Sequence, residues 1–142
     1  MIRKEIIEGN KLIAEFDGYR KDPYYGWLAS NKTDHWDDKY RSDDYLQYHS
    51  SWDWLMPLVG KIENMSHKGF PINVTIGSSG AYIGINPTNS GGEKYDGEKV
   101  IANTLNINYF ANLPQEEICK IESVWKACIQ FIKWHNNEQK KK

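Results

Sequence analysis

Apolar positions in this chain fall into blocks with distinct periods. Between Glu5 and Phe16, the residues Ile6, Ile7, Leu12, Ile13 and Phe16 follow helical spacing. Gly9-Asn10 interrupts that pattern, which leaves Asn10 available as the N-cap of a helix that starts late, and Asp17-Gly18 supplies its stop. A second helix is predicted from about Ser51 to His67, capped by Ser50 or Ser51, with Trp52, Leu55, Val59 and Ile62 on one stripe and Gly69 as terminator. Pro57 then requires either a start at Trp54 or a kink, and Trp52 and Trp54 fall on different faces. Ile72, Val74 and Ile76 alternate with polar residues, and Ile83 and Ile85 resume the alternation after Gly77-Ser78-Ser79-Gly80, predicting a hairpin with a four-residue loop. Val100 to Tyr109 alternates again, with Ile101, Leu105, Ile107 and Tyr109 on one face. A last helix carries Ile118, Ile121, Trp125, Cys128 and Ile132, widened by Val124 and Phe131; Asn112 and Gln115 resemble a capping box, with Pro114 in the first turn.

This order predicts an α+β fold: a largely antiparallel sheet of three to five strands covered by three helices, in the manner of an α-β-α sandwich. A length of 142 residues suits a single domain, taken as residues 1–139, followed by a disordered basic tail, Lys140 to Lys142. The formal net charge of -1 argues against a dedicated duplex nucleic-acid binder. No apolar run approaches the roughly 20 residues of a membrane span, and Met1 to Glu8 lacks a signal-peptide apolar stretch, so a cytoplasmic protein is expected.

One stretch does not fit a simple core pattern. Ten of the aromatic residues lie between Tyr19 and Trp54, and Tyr24–Leu28 and Tyr45–Tyr48 within it could be short strands around a long polar loop from Asn31 to Asp44. Rings offer flat surfaces for stacking on bases, and interleaved cations offer charge-assisted donors for phosphate. The candidate ligand-binding residues are therefore Tyr25, Trp27, Trp36 and Tyr40 as planes, with Arg20, Lys39 and Arg41 as donors. Ser78 and Ser79 add hydroxyls and backbone N–H groups in a turn that can cradle an anion, although a plain hairpin turn is the favoured explanation. The competing reading of the aromatic stretch is part core, part interface.

Catalytic chemistry finds less purchase. Asp34-His35-Trp36-Asp37-Asp38 with Asp43-Asp44 has no defined metal spacing and is diluted by Lys32, Lys39 and Arg41, so it reads as a solvated loop. His49-Ser50-Ser51 has the histidine-x-serine form of two-histidine phosphodiesterases without a second copy. Cys119 and Cys128, nine residues apart on one predicted helix, would lie about 13 Å apart and cannot pair within the chain. No catalytic residue, metal or cofactor is assigned, and the chain is expected not to be an enzyme.

Three blocks carry a family resemblance: Asn10-Lys11-Leu12-Ile13-Ala14-Glu15-Phe16; Tyr48 to Pro57 with Lys61-Ile62-Glu63; and Ile121-Glu122-Ser123-Val124-Trp125 with Phe131-Ile132-Lys133-Trp134. Together they resemble small phage and prophage proteins related to the phage ABA sandwich group. The likeness omits Tyr19 to Gln47 and Thr88 to Glu98, and Asp17-Gly18 stands where Met-Gly is expected. The resemblance implies an α–β–α arrangement and a phage accessory protein in the bacterial cytosol. By analogy with other small phage proteins, it suggests a homo-oligomer that sequesters a nucleotide-derived immune signal, of cyclic oligonucleotide or cyclic ADP-ribose type, without catalysis. The alternative is a protein-binding inhibitor of a host defence protein that uses an exposed aromatic surface.

Overall fold

The computed structural model describes residues 2–22, 26–28, 42–77, 80–104 and 120–141. The chain runs α1 (Arg3–Phe16), β1 (Arg20–Asp22), β2 (Gly26–Leu28), a 3-10 turn (Asp43–Tyr45), α2 (Trp52–Glu63), β3 (Ser66–His67), β4 (Phe70–Gly77), β5 (Gly80–Ile85), β6 (Val100–Asn103) and α3 (Lys120–Lys140). The strands form two antiparallel sheets, β1-β2 and β3-β4-β5-β6, and the protein is α+β. Helix α2 packs on β4, α3 packs on β5 and β6, and α1 lies against α3.

Alternation along β4 and β5 explains the layering. Ile72 pairs with Ile85, Val74 with Ile83 and Ile76 with Ala81, so one face of the sheet is continuously apolar. That face meets Leu55, Leu58, Val59 and Ile62 of α2 and Val124, Ala127, Cys128, Phe131 and Ile132 of α3 in one buried core. Pro71, Asn73 and Thr75, on the opposite face of β4, are exposed. Strand β6 presents Ala102, opposite Ile83, to the core, and Ile101, where the β5–β6 register shifts, is half-buried and packs against the same core. Ile101, the described member of the predicted apolar face, thus packs against the core alongside the small Ala102. Leu105 to Tyr109, and the capping residues Asn112, Pro114 and Gln115, lie outside the described residues.

Helix α1 ends at Phe16, as expected from Asp17-Gly18, in a Schellman motif: Tyr19 N–H reaches Ala14 O at 2.9 Å, Gly18 N–H reaches Glu15 O at 3.3 Å, and Gly18 has φ 99°. Several other boundaries differ from the pattern-based expectation, each for a local reason. Helix α2 stops at Glu63 instead of running to His67, because Lys68 (φ 52°) and Gly69 (φ 87°) form a tight turn that pairs His67 with Phe70. Pro57 lies inside α2, and the helix begins before it, at Trp52. The β4–β5 pairing includes Gly77 with Gly80, so the connection is two residues, tighter than the predicted four. Tyr45–Tyr48 is not a strand; its first residue closes the 3-10 turn. Helix α3 continues to Lys140, into the segment expected to fray.

The largest correction concerns Gly9-Asn10, which sits inside α1 and does not start it. A β-carbon on Gly9 would overlap the Trp125 ring and come within 2.7 Å of Ile129 Cδ1. The missing side chain is the slot into which the Trp125 indole packs. Gly60, in the last turn of α2, has open space around it. The two glycines therefore predict opposite outcomes. Gly60→Ala should stabilise the protein by about 0.5–1 kcal/mol through helix propensity. Gly9→Ala should destabilise it by about 1–3 kcal/mol through overpacking. Urea denaturation of both variants checks the reversal of sign.

Candidate binding site

Segment 42–49 crosses the flank of α1 and is fastened there by three polar anchors. The first is Asp43. Its Oδ1 accepts from Trp27 Nε1 at 2.8 Å and from Lys21 Nζ at 3.3 Å, and its Oδ2 lies 3.6 Å from Lys11 Nζ. This carboxylate joins β1, β2 and α1. Burial pushes its pKa up, but the hydrogen bonds from Trp27 and Lys21 and the charges of Lys11 and Lys21 outweigh that and hold it below the usual aspartate value.

The second anchor is Asn10, almost fully buried. Its Nδ2 donates to Leu46 O at 3.0 Å and lies 2.9 Å from His49 Nδ1, while its Oδ1 accepts from Trp125 Nε1 at 2.8 Å. The third is Tyr48, whose hydroxyl donates to Asp17 Oδ2 at 2.7 Å, with Lys61 Nζ 3.9 Å from the other carboxylate oxygen. Burial and this hydrogen bond both drive the Tyr48 pKa upward, so the phenol stays a donor. Lys61 also donates to Phe16 O at 3.2 Å, placing a cation at the C-terminal end of α1.

Between α1 and segment 42–49 lies a cleft of about 420 Å³, lined by Arg3, Ile6, Ile7, Asn10, Asp43, Leu46 and His49. Beside it the rings of Tyr19, Tyr45 and Tyr48 gather on Trp54: Tyr19 stacked with centroids 6.4 Å apart, Tyr45 and Tyr48 edge-on at 5.2 and 5.1 Å. Tyr45 remains 40% exposed, and Arg20 is exposed on β1. The cleft therefore offers apolar walls from Ile6, Ile7 and Leu46 and the polar groups of Arg3, Asn10, Asp43 and His49, with Lys11 and Lys21 paired to Asp43. Such a set suits a small organic anion with a flat apolar part.

The residues assigned from sequence distribute unevenly over this geometry. Trp27 is fully buried with its N–H committed to Asp43 and Lys21 Nζ 5.4 Å from its ring centroid, so it is a core ring and offers no face to a base. That assignment is corrected: hydrogen bonding to Asp43 lets the whole indole be enclosed. Tyr25, Trp36, Lys39, Tyr40, Arg41, Ser78 and Ser79 lie outside the described residues, as does the Asp34–Asp38 cluster. Asp43, read from sequence as part of a solvated loop, is an anchor that brings Lys11 and the nearby Arg3, from outside the aromatic stretch, to its side. The spacing of Arg3, Ile7 and Asn10 on one helical face was the available signal. Cys128 is buried, and burial pushes its thiol up to about 12, consistent with a packing role. Among the described residues, no group of three or more His, Cys, Asp and Glu is arranged to hold a metal ion, and no helix is long and apolar enough to cross a membrane.

Compared with known protein families, curated proteins and solved structures, the chain matches none.

Two outcomes test the anchors. Tyr48→Phe removes a buried hydrogen bond to a charged group and should cost about 1.5–3 kcal/mol in chemical denaturation. For Asp43, a folded pKa below the unfolded value of 3.8 means that its contribution is complete above that value and is lost as pH falls through the folded pKa. Asp43→Asn should lower stability at pH 7 and flatten the acid limb of the stability profile below about pH 4 relative to wild type.

Proposed function

We propose that this is a binding protein of phage-accessory type that captures a small, flat, anionic signal of nucleotide class in the host cytosol and holds it without turnover. The single observation that carries the reading is the cleft between α1 and segment 42–49, where Arg3, Asn10 and His49 share an apolar lining with Asp43, the carboxylate that Lys11 pairs at 3.6 Å. The phage context rests on the resemblance of the three sequence blocks, and the aromatic stretch they omit is the part attached at this cleft.

Energetics argue for a ligand shared between copies. Nanomolar capture requires about 12 kcal/mol, and each stacked base contributes about 1–3 kcal/mol. With Trp27 committed to the core, the described rings offer Tyr45 as the exposed plane of this cluster. One ring and two or three cations fall short, so enclosure by a second subunit is part of the proposal.

A second reading has its own support. Trp52 and Met56, one turn apart on the outer face of α2, are 38% and 43% exposed. An exposed tryptophan beside a methionine is a plausible anchor for a protein partner. This surface lies on a different face of α2 from Trp54 and the ring cluster, so the two readings use different residues.

Thermal-shift screening against cyclic dinucleotides, cyclic trinucleotides and cyclic ADP-ribose isomers tests the first reading. A raised melting temperature is expected with at least one of them, reduced by Lys11→Gln and unaffected by Trp52→Ala, with the ligand recovered intact after heating. No shift with any of them, together with stoichiometric retention of a host protein that Trp52→Ala abolishes, would replace it with the second. Chemically altered ligand after incubation would overturn the non-catalytic claim.

A further inference from the structure

The hydrogen bonds around Asn10 fix the protonation state of His49. Trp125 Nε1 can only donate and Leu46 O can only accept, so the Asn10 amide has one workable orientation, with its oxygen on Trp125 and its nitrogen on Leu46. The same nitrogen lies 2.9 Å from His49 Nδ1. That ring nitrogen must therefore accept, which makes His49 the neutral Nε2–H tautomer. An imidazolium carries N–H on both nitrogens and would set a donor against a donor. Asn10 cannot turn to compensate without giving up two buried bonds.

We propose that the Asn10–His49 contact is a protonation-sensitive latch: neutral His49 holds its end of segment 42–49 against α1, and its imidazolium form releases that end. The charges that line the cleft with His49 do not rescue the cation. Arg3, from the first turn of α1, opposes it. Asp43, from the 3-10 turn, would favour it, but already shares its charge with Lys11 and Lys21 and accepts from Trp27. The contact from α3 is the neutral Trp125 indole, through Asn10. Burial of the ring acts in the same direction, disfavouring the charged form.

The release is local. Leu46 and Tyr48 remain core residues, and the Tyr48–Asp17 bond is untouched by the protonation of His49. What loosens is the bond network between α1 and a segment whose Asp43 also holds the β1–β2 hairpin. This latch belongs to the fold and does not depend on what the cleft binds.

Long-range nitrogen–proton NMR of the imidazoles tests it on the wild-type protein. At pH 7.5 His49 should show the Nε2–H tautomer, and its titration midpoint should lie below the ordinary value of about 6.5. Hydrogen exchange of the Tyr45 to Ser51 amides, corrected for intrinsic pH effects, should then accelerate on acidification, approaching about tenfold per pH unit, the limit for one linked proton. Amides of α3 should not follow. His49→Asn places an amide oxygen near the position of Nδ1 without a titrating group, and should remove this acceleration while the other histidines still titrate. An Nδ1–H tautomer, or an imidazole already charged at pH 7.5, overturns the proposal without any variant. Equal acid acceleration in His49→Asn overturns it as well.

Discussion

Asn10 and Trp125 meet in the middle of this molecule, and most of its organisation follows from how they do so. Tryptophan carries a large apolar ring and one obligatory donor, so burying it requires both a close-fitting slot and an acceptor. Gly9 provides the slot and Asn10 the acceptor, on consecutive positions of one helix. The bond spans 115 residues of sequence and joins the first helix to the last. Asn10 then has two amide hydrogens left inside the protein, and Leu46 O and His49 Nδ1 take them. The need to satisfy one buried side chain thus determines where segment 46–49 lies.

Three separate sequence blocks, Asn10–Phe16, Tyr48–Pro57 and Ile121–Trp125, converge at this place. Asn10 belongs to the first, Tyr48 and His49 to the second, and Trp125 to the third. The described parts of the chain between the first two blocks are tied to this frame through Asp43, Leu46 and the Schellman turn after α1.

Helical and strand periods were legible wherever burial was one-sided. The α3 stripe of Trp125, Cys128 and Ile132 and the alternation of Ile72, Val74 and Ile76 both appear in the core or against it. Legibility failed where a residue's usual local meaning was overridden by a distant partner. Asn10 resembles a cap because short amides compete for backbone groups, but here its partners are 36 or more residues away. Asp43 looked like one acid among many in a polar loop until Trp27, Lys21 and Lys11 were found around it. Trp27 was expected to be open because its neighbours are polar, yet a single carboxylate satisfies its N–H and the ring closes inside. Periodicity reports faces; it carries no information about which polar side chains will find one another across the fold.

The same polar knots govern how the candidate site can respond to its surroundings. Were segment 42–49 held by apolar contacts alone, its attachment would vary little with pH, since hydrophobic burial involves no titrating group. Instead, it is held by a carboxylate with its pKa lowered, a phenol with its pKa raised and an imidazole confined to one tautomer. Two of these three change state in acid: the imidazole first, near or below the ordinary histidine range, and the carboxylate only in strong acid. Mild acid therefore reaches the Asn10 end of the segment while Asp43 still holds Trp27 and the hairpin. The cleft would loosen along the Leu46–His49 side and stay closed along the Asp43 side, giving a hinge whose fixed end is the residue that binds both lysines.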